Sequence, residues 1–125
     1  MTFTDTHAHL YSPEFADDID NVVNRAIAAD VHKILLPNID EESIEPLQNL
    51  TKQYPEVFSP MMGLHPTSVK ANYKNILNQI EKELATGRYI AVGEIGIDLY
   101  WDKTFATEQT DAFHAQINMA LDYNL

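Results

Sequence analysis

A chain of 125 residues with 45% hydrophobic and 22% charged side chains can build one globular core, which excludes a disordered or fibrous class. Having no cysteine, it cannot be a disulfide scaffold or a thiolate metal site, so any metal must be held by histidine and carboxylate. A formal charge of -11 and a pI near 4.6 exclude polyanion binding by bulk electrostatics, but not a site whose bound cations supply positive charge locally.

The first predicted strand begins near Phe3 and runs into Asp5-Thr6-His7-Ala8-His9-Leu10. Side chains two apart on a strand point the same way, so His7 and His9 converge, and two imidazoles so placed suit one divalent ion. Alone, the pair would also suit an exposed or hydrogen-bonded structural role; its position at the end of strand one favours a metal. Ile19, Val22, Val23, Ala26 and Ile27 then form an apolar stripe on a helix expected from about Asp17 to Ala29. A second strand is predicted near Lys33. It is followed by a helix with Ile44, Leu47, Leu50 and Tyr54 on one face, Asp40 or Ser43 as its N-cap, and Pro55 closing it.

The third strand, from about Val57, leads into Gly63-Leu64-His65-Pro66. Proline holds its neighbour extended, so His65 is expected at the strand exit, either structural or facing a phosphate or a metal-bound ligand. A helix with Ile76, Leu77, Ile80 and Leu84 should end at Gly87. The fourth strand, from about Tyr89, runs into Gly93-Glu94-Ile95-Gly96-Ile97-Asp98. A carboxylate beside a core needs a cation or a strong hydrogen-bond partner; a metal on His7 and His9 would serve Glu94, and a structural salt bridge is the other possibility. Asp98 is expected in a supporting loop position. The last helix is expected to bury Phe113, Ile117, Ala120 and Leu121, and no role is assigned to His32 or His114.

Strand and helix alternate throughout, which implies parallel strands joined by right-handed crossovers, in either a barrel or a doubly wound sheet. No linker or low-complexity stretch divides residues 1–125, so they are expected to belong to one domain. The apolar runs Ile34-Leu35-Leu36 and Ile90-Ala91-Val92 are far short of a bilayer span, and the first residues lack signal-peptide character, so no membrane partner and a cytoplasmic location are expected.

Together, Asp5-x-His7-x-His9-Leu10, Gly63-x-His65-Pro66 and Gly93-Glu94-Ile95-Gly96-x-Asp98, with Tyr100 and Gln109 after them, resemble the successive signatures of TatD-type metal-dependent hydrolases. The resemblance implies an α/β fold, a (β/α)8 TIM barrel of the metal-dependent hydrolase type with about the first four βα units present, so that 1–125 is its N-terminal half. It implies one or two divalent ions, Mg, Mn or Zn. His7 and His9 would bind one metal, Glu94 would bridge to or share a second, and His65 would position the substrate phosphate. The implied reaction is hydrolysis of a DNA phosphodiester by metal-activated water.

Further family ligands, two histidines after the fifth and sixth strands and an aspartate after the eighth, fall outside this sequence. The chain is therefore expected to be part of a longer enzyme, and the 125-residue piece to be inactive alone. Two alternatives stand beside this: a related barrel hydrolysing small amides or esters, and a half-barrel that pairs with its own copy as a non-catalytic metal-binding module.

Overall fold

A computed structural model describes residues 1–125. Three parallel strands, β1 (Phe3–Asp5), β2 (Val31–Pro37) and β3 (Phe58–Met61), lie side by side in that order. The helices α1 (Ile19–Ala28), α2 (Ile44–Gln53) and α3 (Tyr73–Leu84) follow them in turn, and α4 (Ala106–Asp122) comes last. Ile34 of β2 pairs with Phe58 and Pro37 with Met61, so the two strands leave the sheet together. β1 is the short edge strand, with all three residues exposed.

The core lies between sheet and helices. Leu36, Phe58, Met62 and Leu64 meet Leu47 of α2 and Ile76, Leu77 and Ile80 of α3, the last two helices contributing the stripes their sequences predict. α2 starts just after Ser43 with Pro46 in its first turn, where a missing N–H costs no helical bond. The two N-cap candidates act as a pair. The Asp40 carboxylate accepts from the Ser43 N–H, and Ser43 Oγ accepts from the backbone N–H groups of Ile39 and Asp40. α3 ends before Gly87, which adopts a φ of 71° in the left-handed region.

Two expectations require correction. Residues 90–93 run beside β3 but form no regular strand. Ile90 donates to the Pro60 carbonyl, Met62 to Ala91 and Gly93 to Met62, after which Glu94 crosses to the carbonyl of Asn38 at the end of β2. Pro60 offers this segment a carbonyl but no N–H, and from Ala91 the partners slip by one residue, so no regular ladder forms. In α4 the buried face is Gln109, Ala112, Gln116 and Met119, whereas Ile117 and Leu121 are exposed. The helix packs on α3 and the His65 turn, where unpaired backbone groups select amides over aliphatic side chains.

Candidate metal centre

Parallel strands point the same way, so the segments after β1, β2 and β3 and after the fourth extended segment all emerge at one end of the sheet. His7 and His9 leave β1, with the turn fixed by the Asp5 carboxylate accepting the His7 N–H at 3.0 Å. His65 leaves β3, and Glu94 follows the fourth segment. His7 Nε2 lies 3.1 Å from His9 Nε2 and 3.1 Å from Glu94 Oε2, and His9 Nε2 lies 3.5 Å from that oxygen. A tetrahedral ion with metal–nitrogen bonds of about 2.0–2.1 Å has donor–donor edges of about 3.3 Å, so the three atoms fit one such ion. The three side chains are half-buried or exposed, leaving access from solvent. The ion pairs formed by arginine join Arg25 to Asp18 and Arg88 to Glu83; Glu94 meets only histidines.

Hydrogen bonds fix which ring nitrogen of His9 and of His65 carries the proton. Tyr11 donates its only hydroxyl proton to the Pro37 carbonyl at 2.6 Å, while His9 Nδ1 lies 2.8 Å from the Tyr11 oxygen. His9 must therefore be the donor through Nδ1–H, which leaves Nε2 with a free lone pair facing His7 and Glu94. Burial, and then the neighbouring His7, pull the His9 imidazole below its ordinary value, with Glu94 opposing. The neutral ring that a metal requires is thereby favoured.

His65 is arranged in the opposite sense. Its Nδ1 accepts from the Thr67 N–H at 3.2 Å and lies 2.7 Å from the Thr67 hydroxyl, so the proton of the neutral ring sits on Nε2, 3.3 Å from Glu94 Oε1. The carboxylate thus divides its oxygens: Oε2 faces Nε2 of His7 and of His9, and Oε1 accepts from His65. His65 as it stands is a hydrogen-bond donor at the rim of the metal centre.

Of the residues that hold these segments together, sequence pattern marks Gly63 and Gln109 but neither Asn38 nor Gln116. Asn38 is fully buried; its Nδ2 donates to the carbonyls of Asp40 and Gly63, and its Oδ1 accepts from Ser43. Its backbone N–H lies between the carbonyls of Met61 and Gly93, and its carbonyl accepts from Glu94. A polar residue directly after the apolar run Ile34 to Pro37 was the available signal. Gln116 brackets Leu64, accepting its N–H at 2.6 Å and donating to its carbonyl at 3.2 Å. Gln109 does the same for Asp98. Gly63 permits the close approach of the fourth segment, since a Cβ there would stand 2.8 Å from the carbonyl carbon of Gly93. Asp98 accepts from the Tyr100 N–H and stands apart from the His7, His9 and Glu94 group. His32 and His114 are exposed elsewhere.

Comparison with known proteins gives concordant findings. A family described as "TatD related DNase" matches residues 4–125. The "Uncharacterized metal-dependent hydrolase YabD" of Bacillus subtilis (strain 168) is 31% identical over 121 residues, covering 97% of this chain and 47% of the relative. The "3'-5' ssDNA/RNA exonuclease TatD" of Yersinia pseudotuberculosis is 31% identical over 121 residues, covering 97% of this chain and 46% of the relative. The crystal structure of the TatD homologue YjjV from Escherichia coli superimposes with a TM-score of 0.89 at 31% identity, over 98% of this chain and 48% of that one. The chain spans about half the length of the curated relatives it matches, and its parallel βα units are those of a partial TIM barrel of this type.

Proposed function

Since the chain belongs to the TatD-related DNase family, we propose that the protein is a metal-dependent phosphodiester hydrolase acting on DNA, with residues 1–125 as the N-terminal half of one barrel domain. The observation that carries the proposal is the convergence of His7 Nε2, His9 Nε2 and Glu94 Oε2 within 3.5 Å of one another, at the sheet end where barrel active sites are built. Three relatives are named metal-dependent hydrolases, and others 3'-5' ssDNA/RNA exonuclease TatD, which supports both the metal and the substrate class. Nitrogen donors lean toward the later transition metals, with Zn or Mn ahead of Mg. Bound here, a divalent ion supplies Lewis-acid stabilisation of phosphate oxygens and a water nucleophile at neutral pH.

The chain's own groups divide the remaining work. His7 and His9 present lone pairs, the second locked in that tautomer by Tyr11. Glu94 contributes negative charge through Oε2 and holds the His65 Nε2–H through Oε1. When a phosphate oxygen takes the place of Oε1 as acceptor, the same N–H positions the scissile group, a role for which a histidine at the rim is suited.

The test is release of nucleotides from single-stranded DNA by the protein at its full natural length, with Mg, Mn and Zn added singly and small amides and esters assayed in parallel. His9→Ala and Glu94→Ala are each expected to cut turnover by orders of magnitude and to weaken metal binding. Undiminished turnover in both variants would sink the site, and turnover confined to the small amides or esters would sink the DNA assignment.

A further inference from the structure

We propose that the cleft beside His65 is a binding site for one nucleotide of a single strand, with its base stacked on Trp101 and its phosphate on Lys70. This deepens the nucleic-acid assignment above and rests on it. The cleft has a volume of about 300 Å³ and is walled by Thr67, Val69, Lys70, Trp101, Asp102 and Phe105. That is the lower end of the range for small-ligand clefts, which suits one nucleotide better than a longer segment.

Two features select this ligand chemistry. Trp101 is 80% exposed and Tyr100 82%, their rings edge to face with centroids 4.7 Å apart. Large π-faces left in water next to a candidate phosphodiesterase centre offer the sequence-tolerant stacking surface that single strands use. Lys70 holds its ammonium 5.5 Å from the centroid of the Phe105 ring, so a cation stands over an apolar wall of the same cleft. Lys70 is the one cation on a wall it shares with the Asp98 and Asp102 carboxylates, so it offers a single phosphate contact rather than a long backbone track, and stacking on Trp101 carries most of the binding.

The cleft also adjoins the candidate centre directly. Thr67, one of its walls, is the residue whose hydroxyl and N–H contact His65 Nδ1. A base on Trp101 would therefore bring the strand alongside the turn that carries His65. The loop carrying the aromatic pair is tied to α4 at its start, where Gln109 binds both backbone groups of Asp98, and is braced internally by the Asp102 carboxylate, which accepts from the N–H and hydroxyl of Thr104. A platform fixed in this way loses little entropy when a base stacks on it.

The test is binding by the full-length protein in excess chelator, read by fluorescence anisotropy of a labelled hexathymidylate and by quenching of tryptophan emission. Expected are saturable binding, a quench that Trp101→Ala removes, and affinity weakened about 5- to 150-fold by Trp101→Ala, as the loss of one stacked base predicts. Lys70→Ala should weaken binding and reduce its salt dependence. An abasic strand of equal length should bind like the wild-type strand binds Trp101→Ala. Unchanged affinity in Trp101→Ala, or equal binding of the abasic strand, overturns the cleft whatever the catalytic result. Binding with the expected Trp101 dependence but no hydrolysis under any metal sinks the activity and leaves the cleft standing.

Discussion

The hydroxyl of Tyr11 has one proton, and its donation to Pro37 is what makes His9 a donor at Nδ1. Tyr11→Phe should leave the backbone in place, free the imidazole to rotate or change tautomer, and weaken metal binding about 10- to 100-fold, as loss of an outer partner does in other sites. Calorimetric titration with Zn or Mn checks this, and equal affinity in the two proteins would show that the tautomer is set elsewhere. At Tyr89 a hydroxyl serves stability instead. It donates to Glu83 and accepts from Gln48, and burial, reinforced by the Glu83 carboxylate and opposed by Gln48, pushes it up to about 12. The ordinary unfolded value is about 10, so the neutral phenol favours the fold fully below pH 10, and that contribution is lost progressively as pH rises toward 12. Urea midpoints between pH 9 and 12 should fall less steeply in Tyr89→Phe than in the parent.

At the scale of elements, α4 carries an amphipathic pattern in which the inward face is partly polar. Helical spacing alone assigns Phe113, Ile117, Ala120 and Leu121 to the core, yet Gln109 and Gln116 are buried with Ala112 and Met119, each glutamine satisfying both backbone groups of a residue near the site. Gln116→Leu keeps the volume but orphans the N–H and C=O of Leu64, at a cost of about 1–3 kcal/mol per group. Chemical denaturation should register a destabilisation of at least that order, and a neutral result would remove Gln116 as the strut behind His65. The fourth segment shows the same dependence on partners. Its residues are strand-like in composition, but Pro60 across from them withholds a donor, and Asn38 and Gly63 decide where Glu94 arrives.

Across the whole molecule, a candidate site assembled from residues 7, 9 and 94 would couple metal binding to folding, because the unfolded chain cannot bring those atoms together. A metal at 100 times its dissociation constant should stabilise the protein by about 2.7 kcal/mol, and chelation should reverse the gain. Differential scanning with and without ion measures it, and Glu94→Ala should abolish most of the shift. No helix is long and apolar enough to cross a membrane. Sequence by itself determined the βα alternation, the α2 and α3 stripes, the donor chemistry without cysteine, and His7, His9, His65 and Glu94 as candidates. These are legible because periodicity, turn residues and strand-end position are local properties. Tertiary structure alone decided that the fourth segment is not a regular strand, that α4 turns glutamines inward, and which nitrogen of His9 and of His65 bears a proton. All of these except the His65 tautomer, which Thr67 sets two residues on, depend on a hydrogen-bond partner far away in the chain, Pro37 for Tyr11 and Leu64 for Gln116 among them, and no local pattern encodes a partner's position.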